Sequence, residues 1–132
     1  MSDLLLDTCA VLWLASGANL TAEARSAIAE RNVHVSPISA WEIASLVSKK
    51  RIALALPTAT WFREVAEKMK ARMPHLTAEI LAGSCELPGQ PPRDPADRII
   101  IATAREENMI VVTRDSKILA YSRAGYVRTL AC

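Results

Sequence analysis

Leu4-Leu5-Leu6-Asp7-Thr8 decides how this 132-residue chain is read. Three aliphatic residues in a row cannot alternate between a wet face and a dry one, so the run predicts a short strand buried on both sides. Helical pattern follows at once, through Ala10–Ala15. A doubly buried strand that leads into a helix is the building unit of a parallel sheet covered by helices on each face. The rest of the chain repeats that alternation. Helix is expected over Ala22–Glu30 behind Thr21 as N-cap, strand over Val33–Val35, and helix over Ser39–Lys50 with Trp41, Ile43, Ala44, Leu46 and Val47 on its apolar face. Helices at Thr60–Met73 and Thr77–Cys85 follow, with a weak strand around Met73–Leu76. Then come a helix at Ala96–Asn108, a strand at Met109–Val112, a helical turn at Ser116–Ala120 and a closing strand at Tyr126–Leu130. With right-handed crossovers this predicts one domain, residues 1–132, built as a three-layer α/β/α sandwich on a central parallel sheet.

Composition narrows the functional classes. Hydrophobic residues make up 51% of the chain and charged residues 23%, which is globular and excludes disorder. No apolar run approaches the ~18 residues of a membrane helix, and the amino terminus has neither the basic start nor the cleavage site of a signal peptide, so a cytoplasmic location is expected. Cys9, Cys85 and Cys132 are widely spaced, and with only His34 and His75 beside them they offer no zinc-site spacing. All three are read as buried small hydrophobes or terminal bystanders. The net charge of +2 is too small to mark a polyanion binder by itself.

The acids are more telling. In sheets of this kind ligands sit outside the carboxyl ends of the strands, where the strand order reverses. Asp7 follows the first strand and Asp115 closely follows the later one, while Glu42 and Asp97 lie in the first turns of helices that start at the same edge. Each has a local explanation. Asp7 fits an N-cap, Asp115 a turn, Ser39-x-x-Glu42 a capping box, and Asp94-Pro95 a helix start completed by Asp97. Four carboxylates from distant segments at one edge nevertheless repel, and such a cluster persists only if protonated or neutralised by cations. Hard divalent ions with oxygen ligands meet that need, and phosphodiester hydrolysis by activated water is the reaction class implied.

These residues fall into a known pattern. The chain resembles the PIN-domain ribonucleases, in particular the short VapC toxins of toxin–antitoxin pairs. The resemblance lies in Leu-Leu-Leu-Asp7-Thr8-Cys9, in Val35-Ser36-Pro37-Ile38-Ser39-Ala40-Trp41-Glu42-Ile43, in Arg93-Asp94-Pro95-Ala96-Asp97-Arg98, and in Val111-Val112-Thr113-Arg114-Asp115. It implies a Mg²⁺-dependent endoribonuclease, with Mn²⁺ as the other candidate metal, and metal-site positions at Asp7, Glu42, Asp97 and Asp115. Thr8, Asp94, Arg98 and Thr113 take supporting places, Arg98 either on phosphate or tying down the acids. Two positions depart from the family pattern, Ala96 where Phe is common and the absence of a His before Asp94. The implied partners are a VapB-type antitoxin, an RNA substrate and a second copy of the chain, with no membrane.

Setting aside the four site acids leaves 16 basic against 10 acidic side chains, a net +6 around the pocket. Lys49, Lys50, Arg51, Arg93 and Arg114 are the candidates, with Arg98, for holding an RNA backbone. Trp13, Trp41 and Trp61 are read as core or interface residues in preference to base-stacking platforms. Other functions compatible with the pattern are a binding-only module without turnover and a metal-dependent phosphatase or DNA nuclease. A phosphoacceptor signalling domain fits less well, because Asp3 precedes the first strand and leaves the required acidic pair incomplete.

Overall fold

Leu4 and Leu6 point into one hydrophobic core and Leu5 into another, all three without solvent exposure. They form β1 (Leu4–Leu6), an inner strand of a sheet in which every pairing is parallel. A computed structural model describes all residues, 1–132. The other strands are β2 (Val33–Val35), β3 (Ile110–Thr113) and β4 (Arg128–Ala131), in the spatial order β2-β1-β3-β4. Leu6 faces Val35 on one side and Val112 on the other, so the buried runs of three strands lie in register.

Seven helices cover the sheet: α1 (Thr8–Ser16), α2 (Ala22–Glu30), α3 (Pro37–Ser48), α4 (Thr58–Lys68), α5 (Ala78–Cys85), α6 (Pro95–Glu106) and α7 (Ser116–Arg123). Ala10, Val11, Ala24, Ile43, Phe62 and Ala66 from α1–α4 pack on the face of Leu4 and Leu6. Ile100, Ile101, Ala104, Ile118 and Tyr121 from α6 and α7 pack on the face of Leu5 and Val111. Each fully buried aliphatic side chain contributes roughly 1.5–3 kcal/mol. The three-layer sandwich expected from the alternation is therefore the architecture found. No helix is long and apolar enough to cross a membrane.

Several local readings need correction. The third helix begins at Pro37 with Ser36 as its N-cap, whose hydroxyl accepts the Ile38 N–H, so Ser39 lies inside the first turn and forms no capping box with Glu42. Proline at N1 fixes that start. Trp41 is 63% exposed, because two residues along a helix rotate it about 200° away from buried Ile43. Helix α4 stops at Lys68, and Lys70 turns the chain with φ 54°. Arg72 then makes a single parallel bridge to β2 through Val35 N–H to Arg72 O and Arg72 N–H to Val33 O, in place of a strand at 73–76. Helix α7 runs two turns rather than one, held by the burial of Tyr121. Cys9 and Cys85 are exposed, and only Cys132 is buried.

Candidate active site

The strand order changes direction between β1 and β3, which makes the carboxyl edge of that pair the natural ligand crevice. Asp7 leaves β1 there and is nearly buried. Its Oδ1 accepts the Ala10 N–H at 2.8 Å as the N-cap of α1, and its Oδ2 accepts the Thr113 hydroxyl at 2.5 Å from the end of β3. An ionised carboxylate offers about four acceptor positions, so both oxygens keep capacity for a ligand.

Glu42 reaches the same edge from the second turn of α3. Its Oε1 accepts the Thr8 hydroxyl at 2.5 Å, and Thr8 Oγ1 lies 2.9 Å from the buried Ser39 hydroxyl. Ser39 is a site residue that its place one turn before Glu42 had suggested only as a cap. Its hydroxyl supports Thr8, and Thr8 orients the acid.

Asp97 lies in the first turn of α6, a helix that runs antiparallel to the strands and so starts at their carboxyl ends. Asp94 caps it by accepting the Asp97 N–H at 3.0 Å. Asp115 caps α7, with Oδ1 accepting the N–H groups of Lys117 at 2.9 Å and Ile118 at 3.0 Å. Each of these caps uses one carboxylate oxygen and leaves the other free. Capping thus leaves an oxygen uncommitted at Asp94 and Asp115, whereas both Asp7 oxygens already accept a hydrogen bond.

The acids are close enough to act on one another's charge. Burial, followed by the charges of Asp94, Asp115, Glu42 and Asp7, pushes the Asp97 carboxyl up to about 7. Burial raises Asp7 as well, against the hydrogen bonds from Thr113 and Ala10 and helped by the charge of Asp115. Glu42 is raised by burial, opposed by the Thr8 hydroxyl and assisted by Asp94 and Asp7. Even the Cys9 thiol, on a residue exposed overall, is pushed to about 11, first by partial desolvation of its sulfur and then by Asp7, Glu42, Asp97 and Asp115. The Arg114 charge eases this repulsion at Asp7, as the smallest of the influences on that carboxyl. The single ion pair in the chain joins His34 to Asp3, at the amino end of β1.

The basic residues are placed differently from one another. Arg114 is committed to the fold: its Nε donates to Cys132 O, a terminal nitrogen donates to Asn19 O, and its guanidinium stacks 3.9 Å over the Trp13 ring. Arg98 ties down no acid, and its Nε donates to Pro92 O at 2.5 Å. Lys49, Lys50 and Arg51 are exposed beyond the far end of α3, about 10 Å along the helix axis from Glu42. Arg93 is exposed beside the Asp94 cap.

The donor set fits a hard divalent cation. Every candidate ligand is a carboxylate oxygen, none of the acids is ion-paired, and Glu42, Asp97 and Asp115 each keep an uncommitted oxygen. No three acidic, His or Cys side chains close round a point as a ready-made cage. Mg²⁺ matches such an open arrangement, because it keeps several waters and takes only one or two carboxylates directly.

Residues 4–124 match the model of the PIN domain. The chain belongs to the PIN-domain family. This PIN domain is 36% identical over 123 residues to the ribonuclease VapC22 of Mycobacterium tuberculosis, with 92% of this chain and 93% of that protein aligned. Its fold is similar to that of VapBC2 from Rickettsia felis, solved bound to a DNA fragment from their promoter, with a TM-score of 0.66, 14% identity and 98% of each chain covered. It is also similar to the sarcin–ricin-loop-cleaving toxin VapC20 of Mycobacterium tuberculosis, with a TM-score of 0.61, 19% identity, and 95% and 97% of the two chains covered. At those identities the likeness to the two solved structures is one of fold.

Proposed function

We propose that this PIN domain is a metal-dependent endoribonuclease, cytoplasmic, acting as the toxin of a VapBC-type pair. One observation carries the reading: Asp7, Glu42, Asp97 and Asp115 gather at the carboxyl edge with no ion pair to any of them, and burial together with the neighbouring acids raises Asp97 to about 7. The identity to a ribonuclease of the VapC group supports it.

Asp7, Asp97, Asp115 and Glu42 would hold Mg²⁺, or Mn²⁺ in its place. When bound, such an ion stabilises charge on a phosphodiester and lowers the pKa of water at the site. The chain supplies the rest. Thr113 and the Ala10 N–H fix the orientation of Asp7, and the Ser39–Thr8 pair fixes Glu42. Both hydroxyls donate to charged oxygen, which favours the ionised acid and opposes the burial that would protonate it. The N-termini of α6 and α7 add positive dipole ends beside Asp97 and Asp115, an electrostatic setting that also favours a phosphate.

The partners proposed are an RNA substrate, a VapB-type antitoxin and a second copy of the chain. A cleavage assay on folded total RNA tests the enzyme reading, comparing wild type with Asp7→Asn in Mg²⁺, in Mn²⁺ and in EDTA, with new 5′ ends mapped by sequencing. Discrete cuts that require both the metal and Asp7 are expected. Cuts that persist in EDTA or in Asp7→Asn overturn it.

A further inference from the structure

Beside the acid cluster, and separate from it, a cavity of about 940 Å³ opens between the 88–93 loop and α7. Arg93, Arg98 and Lys117 line it, and no carboxylate does. None of the three is ion-paired. Each stands close to a site acid in sequence: Arg93 before Asp94, Arg98 after Asp97, Lys117 two residues after Asp115. All three therefore sit at the N-terminal ends of α6 and α7, at the same sheet edge as the acids. From there the groove follows α7 past Ala120 to Ala124, about 10 Å along the helix, over a floor kept open by small side chains.

The groove is rigid. Tyr121 is buried, donates its hydroxyl to Pro88 O at 2.6 Å and stacks on Tyr126 with ring centroids 5.0 Å apart. Arg98 holds the other end of the loop through Pro92 O, and its terminal nitrogens make no hydrogen bond to the protein. Gly89, at φ +69°, brings the loop backbone onto Tyr126, and a Cβ there would collide with the ring. Only glycine both adopts that angle and leaves the ring its place.

We propose that this groove is the channel that leads the RNA strand away from the acid cluster, with Arg93, Arg98 and Lys117 gripping successive phosphates. The proposal rests on the ribonuclease reading above for the identity of the strand. Charge and rigidity select a polyphosphate chain over a protein segment. Tight peptide docking depends on an apolar anchor in a deep pocket, and here the aromatic walls are already packed on each other. A phosphate chain needs a positive, preformed track.

The test uses the full chain in EDTA, so that binding is read without turnover. Binding of a short, labelled single-stranded RNA is followed by fluorescence anisotropy across a salt series. Wild type is compared with Arg93→Gln/Lys117→Gln and with Arg63→Gln, whose exposed side chain on α4 lies on the opposite layer. The double variant is expected to bind about tenfold more weakly, and its slope of log affinity against log salt to fall by roughly 1.4, about 0.7 per lost phosphate contact. Arg63→Gln is expected to match wild type. Equal affinity and slope in wild type and the double variant overturn the proposal. So does a double variant that keeps RNA binding but loses binding to a polyglutamate peptide, which would assign the groove to an acidic protein segment. Should the double variant fail to fold by circular dichroism, Lys117→Gln alone is read against the same expectation at half the slope change. Loss of cleavage in every metal with groove binding intact would sink the nuclease reading and leave the groove standing.

Discussion

Thr113, at the end of β3, donates its hydroxyl to Oδ2 of Asp7, at the end of β1, while the same Oγ1 accepts the Asp115 N–H at 3.0 Å. One fully buried hydroxyl thereby joins the first and the last of the site acids across two neighbouring strands.

Thr113→Val keeps shape and burial but removes the donor. A buried carboxylate left short of a hydrogen bond costs about 1–3 kcal/mol, and the Asp7 carboxyl should move further above its ordinary value. Chemical denaturation is expected to report that loss of stability, and cleavage to fall at least tenfold. Thr113→Ser, which restores the hydroxyl, should recover most of both. Full activity in Thr113→Val would remove the orienting role.

Asp97 makes a pH prediction with a defined sign. Its folded pKa of about 7 stands above the ordinary carboxyl value of 3.8. The stability it contributes is complete below 3.8, and is lost as pH rises through about 7. In metal-free protein, Asp97→Asn should therefore raise the melting temperature by several degrees at pH 8 and change it little at pH 4. Mg²⁺ should stabilise wild type more at pH 8 than at pH 5.5, because protons compete for the same oxygens. A thermal-shift series across that range checks both, and a metal effect that is flat with pH would contradict it.

The two serines at the start of α3, Ser36 as its cap and Ser39 in its first turn, separate by effect. Ser36→Ala removes the true N-cap and is expected to cost about 1 kcal/mol of stability. Ser39→Ala removes the hydroxyl beside Thr8, so its larger consequence should fall on cleavage, with a smaller loss of stability. Denaturation curves and cleavage rates for the pair decide it; a reversed pattern would restore the capping box at Ser39.

Arg114 is expected to behave as a structural clamp. Arg114→Lys loses the flat stack on Trp13 and the two-point grip on the Asn19 and Cys132 carbonyls, worth about 1 kcal/mol at an exposed site. RNA affinity should stay at the wild-type value. A marked change in the salt dependence of binding without loss of stability would return Arg114 to the RNA-contact group.

What could be read in advance depended on how local the cause was. Leu4–Leu6 and Val33–Val35 declare themselves because a doubly buried strand needs only its own three residues. Asp94-Pro95 and Thr21 start their helices through bonds to residues three positions on. The placement of Asp7 and Asp97 follows from the Leu4–Leu6 strand and the Asp94 cap. Other features had distant causes. Ser39 reads as a cap because Glu42 follows three residues on, whereas the cap found is Ser36, with Pro37 at the first helical position. Trp41 was placed on the face of Ile43 although residues two apart on a helix face different ways. The end of α4 is set by pairing between Arg72 and His34 across nearly forty positions. Arg114 and Lys117 are both cations next to Asp115, and only packing on Trp13 shows that the first is taken up by the fold.

The four carboxylates come from β1, α3, α6 and the start of α7, and the last of them is residue 115 of 132. During synthesis the amino-terminal portion leaves the ribosome first, with Asp7 and Glu42 far from their later neighbours. β3 and the Asp115 cap have to emerge before Thr113 can close on Asp7. An acid cluster assembled in this way stays incomplete on the nascent chain until β3 and the start of α7 have been made, so its repulsion and its cation affinity both arrive late.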